Sequence, residues 1–128
     1  MSNFRPSNKE ICNKVADALG ALRDGRFQIG PTKHLTGDLD ELQLETPELP
    51  GLLIVLLEEI KNAGPIECYA GTRPPQRSYE PEIAQLELWP YRWHSHRLCK
   101  RMYLKFALKK QWYVYVDCHE DRQPEGLI

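Results

Sequence analysis

Long apolar runs are missing from this chain. The longest, Leu52 to Leu57, falls far short of the roughly 20 residues that a membrane-spanning helix needs. The N-terminus, Met1-Ser2-Asn3-Phe4-Arg5, carries no apolar signal segment, so the expected compartment is the cytoplasm, with no membrane contact. Close cysteine pairs are missing too. Cys12, Cys68, Cys99 and Cys118 are scattered without a CxxC and read as reduced thiols. There is no glycine-rich phosphate-cradling loop, which argues against nucleoside triphosphate hydrolysis. There are no internal repeats and no low-complexity stretches. At 128 residues the chain is too short for a barrel of alternating strands and helices, or for a dinucleotide-binding fold plus a substrate domain. It predicts one domain over residues 1–121, with a polar, frayed tail over residues 122–128.

Charge is missing by region. Residues 38–67 carry eight acids against one base, Lys61, whereas residues 91–112 carry seven bases and no acid. The net charge of −1 hides this asymmetry. A basic block of that density suits a polyanion or an acidic partner. It equally suits a sheet edge whose lysines discourage edge-to-edge pairing.

What is present reads as helices followed by strands. Ser7 stands three residues before Glu10, the capping-box spacing, and Ile11, Val15, Ala18, Leu19 and Leu22 recur at helical intervals. They predict a helix over residues 8–24, stopped by Gly25. Residues 26–46 read as a loop, with a short helical turn at Asp38–Leu42. Thr46-Pro47-Glu48 and Pro50 open a second helix over residues 50–63, closed by Gly64-Pro65. Ile66–Tyr69 reads as a short strand. Gly71–Gln76, with Pro74-Pro75, reads as a rigid loop. Leu86–Trp93 reads as a strand that Pro90 places at an edge or a bulge. Arg101–Leu108 and Trp112–His119 are the clearest strands, joined by Lys109-Lys110-Gln111 as a hairpin. The expected fold class is α+β, with two N-terminal helices packed on a small twisted antiparallel sheet.

Strand alternation assigns the hairpin's faces. Met102, Leu104, Phe106 and Leu108, with Trp112, Val114, Val116 and Cys118, form the expected buried side. The other side then carries Arg101, Tyr103 and Lys105 beside Tyr113, Tyr115, Asp117 and His119. Cations stabilise the charge that develops when RNA is cleaved, histidine exchanges protons near neutrality, and tyrosines stack on bases. The same tyrosines are also good strand formers, and Asp117 can simply pair with Lys105 or Arg101. Trp89, Tyr91 and Trp93 read as core more readily than as a stacking platform. His94 and His96 would share a strand face, a spacing that metal ligands use, but no second ligand pair accompanies them, so no metal or other cofactor is expected. Cys118 and His119 point to opposite faces, against a cysteine–histidine pair.

The stretch from Arg101 to Leu108, followed by Tyr113-Val-Tyr-Val-Asp-Cys-His-Glu, resembles the C-terminal hairpin of RelE-type bacterial toxins, most closely the MqsR branch. The order of features is similar over residues 38–121, including Asp40-Glu41-Leu42-Gln43-Leu44 and Leu88-Trp89-Pro90-Tyr91-Arg92. The resemblance implies the toxin half of a type II toxin–antitoxin pair, an mRNA interferase that cuts mRNA, on the ribosome or off it, and is held by a cognate antitoxin. It places Tyr103 on a functional tyrosine and His119 where MqsR has a catalytic lysine. Arg92, or else Pro90, falls near a polar active-site residue. Arg73 or Arg77 stands in for an upstream lysine. The expected catalytic group is therefore His119, Tyr103, Arg101, Lys105 and Arg92. Arg97, Lys100, Arg73, Arg77 and Tyr115 are the expected RNA contacts. The rival reading is a non-catalytic module that binds RNA, the ribosome or an acidic protein through the same face.

Overall fold

A computed structural model of the chain describes residues 5–122. The order is α1 (Asn8–Arg23), β1 (Phe27–Ile29), α2 (Leu35–Leu42), α3 (Leu49–Ala63), α4 (Pro65–Cys68), β2 (Trp89–Ser95), β3 (Lys100–Lys109) and β4 (Trp112–Glu120). Short 3-10 turns at Thr46–Glu48 and Pro81–Ile83 lie between these elements. The fold is α+β, built on one four-stranded sheet. Among the described residues, no helix is long and apolar enough to cross a membrane.

The first helix starts where its cap requires. Ser7 Oγ accepts a hydrogen bond from the Glu10 amide at 3.1 Å. The Glu10 side chain does not complete the box, because Arg5 draws it away and also grips Glu87 at 2.7 Å. That clamp ties the N-terminal segment to the chain entering β2. Helix α1 buries Ile11, Val15, Leu19 and Leu22, and α3 buries Leu49, Leu53, Leu56, Leu57 and Ile60. Both stripes share one apolar cluster with Tyr91, Leu104, Phe106 and Cys118 of the sheet. Trp89, Tyr91 and Trp93 are buried in that cluster, which is the core role their sequence suggests.

Three of the expected elements and pairings need correction. The segment 26–46 is not a plain loop: it holds β1 and a full α2. β1 pairs parallel to β4, with Phe27 opposite Tyr113 and Ile29 opposite Tyr115, so the sheet is mixed, in the order β1-β4-β3-β2. A three-residue strand is too short for a periodicity signal, and its partner lies more than 80 residues away. Ile66–Tyr69 is not a strand. Gly64 leaves α3 at φ 107°, and Pro65 then opens the helical turn α4. Tyr69 then joins the sheet by an isolated bridge to Tyr91.

The hairpin of β3 and β4 forms as expected, with its two-residue turn at Lys110 (φ 51°) and Gln111 (φ 69°). Strand β2 lies at the sheet edge, which accommodates Pro90. The pairing is not regular. Lys105 faces Asp117, but Phe106 faces Tyr115, leaving Val116 as an extra residue. This bulge reverses the alternation along β4. Tyr113 and Tyr115 turn into the helix-covered core, and Val114 and Val116 turn to the second face. There, Ile83 and Leu88 from the preceding segment pack on Ala107, Val114 and Val116. Trp112, assigned to the buried side, is exposed. The expected tail is described only at Arg122, which pairs with Glu41 at 3.1 Å; residues 123–128 lie outside the described residues.

Candidate nucleic-acid interface

The second face of the sheet collects the candidate residues in register. Arg92 on β2 lies opposite Tyr103 on β3, which lies opposite His119 on β4. The side chains follow the backbone. The Arg92 guanidinium sits 4.9 Å from the centre of the Tyr103 ring, and that ring stacks on His119 at 5.3 Å. An arginine, a phenol and an imidazole therefore form one row across three strands. A guanidinium over a partly exposed ring contributes about 0.5–1 kcal/mol.

The next row runs Pro90, Lys105, Asp117. Lys105 Nζ lies 3.3 Å from Asp117 Oδ2 and 5.9 Å from the Tyr103 ring centre. On the other side of Tyr103, Arg101 and Arg92 both reach Asp121, at 3.4 and 3.2 Å. The five residues expected to act together, His119, Tyr103, Arg101, Lys105 and Arg92, thus converge on one face. Carboxylates already partner their cations.

Two protonation states follow from the geometry. His119 Nδ1 lies 2.8 Å from the Glu120 carbonyl oxygen. A carbonyl only accepts, so Nδ1 carries the proton and Nε2 is the nitrogen able to exchange one. Burial pushes the Tyr103 phenol above its ordinary range, outweighing the nearby Lys105 and Arg92 cations. Tyr103 is therefore a neutral hydrogen-bond donor near pH 7.

The remaining expected contacts divide. Lys100 alternates with Arg101 and so falls on the helix-covered side of the sheet, 4.0 Å from Glu120 and away from this face. Arg97 sits exposed in the β2–β3 turn, its amide held by Glu59 at 2.8 Å. Arg77 is exposed and lines a cavity beside Lys105. Arg73 turns elsewhere, onto the Pro6 carbonyl and the Tyr69 ring. Tyr115 is withdrawn from the surface altogether: it is fully buried and donates to Asp38 Oδ2 at 2.6 Å. Tyr113 is buried with it, stacked on Phe106 at 5.2 Å. The bulge at Val116 is the physical reason, since one extra residue moves every side chain before it to the opposite face.

Asp38 itself belongs to the acidic stretch, which serves as a set of staples. It accepts from Tyr115 and from the Cys118 amide at 3.0 Å, while Glu41 accepts from the Glu120 amide beside His119. Glu59 gathers Trp93, Ser95 and Arg97 at the far end of β2. His94 and His96 meet edge to face at 6.1 Å, with Ser95 turned inward between them. Cys118 is in the core and His119 on the second face, as alternation requires.

Some members of this interface left little trace in the sequence. Lys33 and His34 follow β1 and line the same cavity as Lys105 and Asp117. Their only local cue was the Gly30-Pro31 turn, and their proximity depends on the parallel β1–β4 pairing. Tyr79, 86% exposed, stands at that cavity too. No family model matches the chain, and neither a curated protein nor a solved structure does.

Proposed function

We propose that the chain is an endoribonuclease that cleaves RNA through the substrate's own 2′-hydroxyl, and that it acts on mRNA as the toxin of a toxin–antitoxin pair. The observation that carries the nuclease reading is the Arg92–Tyr103–His119 row with Lys105 beside it. The toxin reading rests on the likeness of residues 101–120 to the RelE-type hairpin.

The chemistry needs few groups. His119 Nε2 accepts the 2′ proton as the 2′ oxygen attacks phosphorus. The bond from phosphorus to the 5′ oxygen breaks, and that oxygen leaves with a proton from water. The hydroxide so formed takes the proton back from His119, so the enzyme ends unchanged. Lys105, Arg92 and Arg101 face the charge that builds on the phosphorane oxygens. The Tyr103 phenol donates a hydrogen bond to the phosphate or a base. Binding must draw these cations from Asp117 and Asp121, so the phosphate replaces carboxylates already in place.

That last feature also favours a second reading, a non-catalytic module whose basic face takes RNA, the ribosome or an acidic protein. Induced expression in a bacterial host separates the two, with growth and primer extension on abundant mRNAs followed together. The nuclease predicts arrest and new discrete 5′ ends, both relieved by His119→Ala and by Tyr103→Phe. If both variants remain folded and as toxic as the native chain, this assignment of the site is wrong. Normal growth with intact mRNA from soluble protein favours the module.

A further inference from the structure

Lys105 lies in the wall between two cavities. The larger, about 220 Å³, is bounded by Lys33 and His34 after β1, by the Gln76–Glu80 segment, and by Leu88, Val116 and Asp117. The smaller, about 90 Å³, is bounded by Ala70–Thr72, Pro90 and Tyr103. Gln76 and Leu88 line both. A phosphate held by Lys105 therefore has a recess on either side, which is how a phosphodiester between two nucleosides is laid out.

The larger recess has the means to select. At about 30 Å³ per water it holds roughly seven waters, space enough for a flat heterocycle. Leu88 and Val116 give it an apolar wall, and each is 7% exposed. Asp117 is also only 7% exposed, and its Oδ1 has no hydrogen-bond partner among the described residues. Its ion pair with Lys105 uses Oδ2 alone. A buried carboxylate oxygen left without a donor is unfavourable and is relieved by an N–H. Tyr79 adds an aromatic ring that is 86% exposed on the same cavity, and single-stranded bases stack on such rings.

We propose that this cavity is the base-selective subsite of the interface. The nucleobase next to the phosphate on Lys105 enters it, rests on the Tyr79 ring and donates an N–H to the Asp117 carboxylate, which turns its buried Oδ1 outward as Lys105 leaves it for the phosphate. The inference rests on the RNA reading above and adds which recess beside the phosphate reads a base, and by which residues.

The test uses the full chain carrying His119→Ala, to prevent cleavage. The probes are fluorescent RNA hexamers that are abasic except for a single A, C, G or U, together with the all-abasic strand. Anisotropy is expected to show one base binding at least fivefold tighter than the abasic strand. Tyr79→Ala should erase that gain, a loss of about tenfold for a strong stack, while leaving abasic binding unchanged. Tyr79→Trp should keep the gain. Asp117→Asn should flatten the preference among bases while abasic binding strengthens, because Lys105 loses its partner. If Asp117→Asn fails to fold, the Tyr79 pair decides, since that side chain is exposed. Abasic binding with no gain from any base, or a preference that survives Tyr79→Ala, overturns the subsite and leaves the RNA reading standing. No binding by any strand overturns both.

Discussion

Tyr103 and Tyr115 stand on adjacent strands, and their fates differ. Tyr103 lies between a guanidinium and an imidazole on the accessible face. Tyr115 is buried, with its hydroxyl held by Asp38. Removing that hydroxyl takes one of the two hydrogen bonds that Asp38 accepts among the described residues, while the carboxylate stays buried. Tyr115→Phe is therefore expected to cost about 1–3 kcal/mol of stability, measured by urea unfolding, without changing RNA affinity in the folded protein. Asp38 gives a second prediction at this scale. Burial raises its carboxyl above the ordinary value of 3.8, outweighing the hydrogen bonds from Tyr115 and Cys118 that act to lower it. A raised native value means that the folded chain holds the proton more tightly than the unfolded chain. The group's contribution to stability is then greatest at low pH, falls as pH rises through the native value, and levels off above it. Asp38→Asn deletes this term. Its urea midpoint should gain on that of the native chain as pH rises from the ordinary value of 3.8 through the raised native one, and parallel curves would contradict this sign.

At the scale of the element, the β3–β4 hairpin shows how much one residue can move. The bulge at Val116 serves two faces: before it, Tyr113 and Tyr115 feed the core, and after it Asp117 and His119 join the candidate site. The turn of the same hairpin is strained. Lys110 and Gln111 both hold positive φ, a conformation favoured by Asn-Gly and disfavoured by side chains with a long stem. The pair Lys110→Asn and Gln111→Gly should raise stability by about 1–2 kcal/mol in thermal or urea unfolding. Arg26 would keep its 2.9 Å hydrogen bond, because its acceptor is the backbone carbonyl of residue 111. Strand β1 is sensitive in another way: a Cβ on Gly30 would lie 2.9 Å from the Tyr115 carbonyl oxygen, so only glycine lets the chain pass β4 and place Lys33 and His34 at the cavity.

Across the whole molecule, the opposed charge blocks are partly spent on each other. Asp38, Glu41 and Glu59 fasten the sheet, whereas Asp117 and Asp121 hold the very cations that would meet a phosphate. The free surface of Arg92, Arg101 and Lys105 is thus a three-cation site with built-in competitors. Facing one scissile phosphate, on single-stranded RNA it predicts a log–log salt slope of about −0.7, steeper by about as much again for each further phosphate the face neutralises. Titrations of the His119→Ala chain at several salt concentrations measure this. A slope near zero would remove phosphate contact from the account of this face.

Local pattern determined a good deal. The 3.6-residue stripe of Ile11–Leu22 marks a helix whatever it packs against, the proline start and Gly64-Pro65 stop bracket the second helix around a continuous apolar run, and the alternating run at Arg101–Leu108 marks a strand. Pro90 announced an edge or a bulge, because a proline cannot donate to a second neighbour, and β2 lies at the edge. Tyr103, Lys105 and His119 were legible as companions because alternation against the apolar positions puts them on one face, while the bulge is what sets Tyr103 opposite His119. Tertiary structure decided the rest. The bulge placed Tyr115 in the core, since a register break depends on how two strands seat on the helices and leaves no mark in composition. The parallel partner of β4, and with it the arrival of Lys33 and His34, depends on a contact across more than 80 residues. The pairing of Arg92 and Arg101 with Asp121 arises only once three strands lie side by side. Periodicity is a property of neighbours in the chain, whereas a site is a property of neighbours in space.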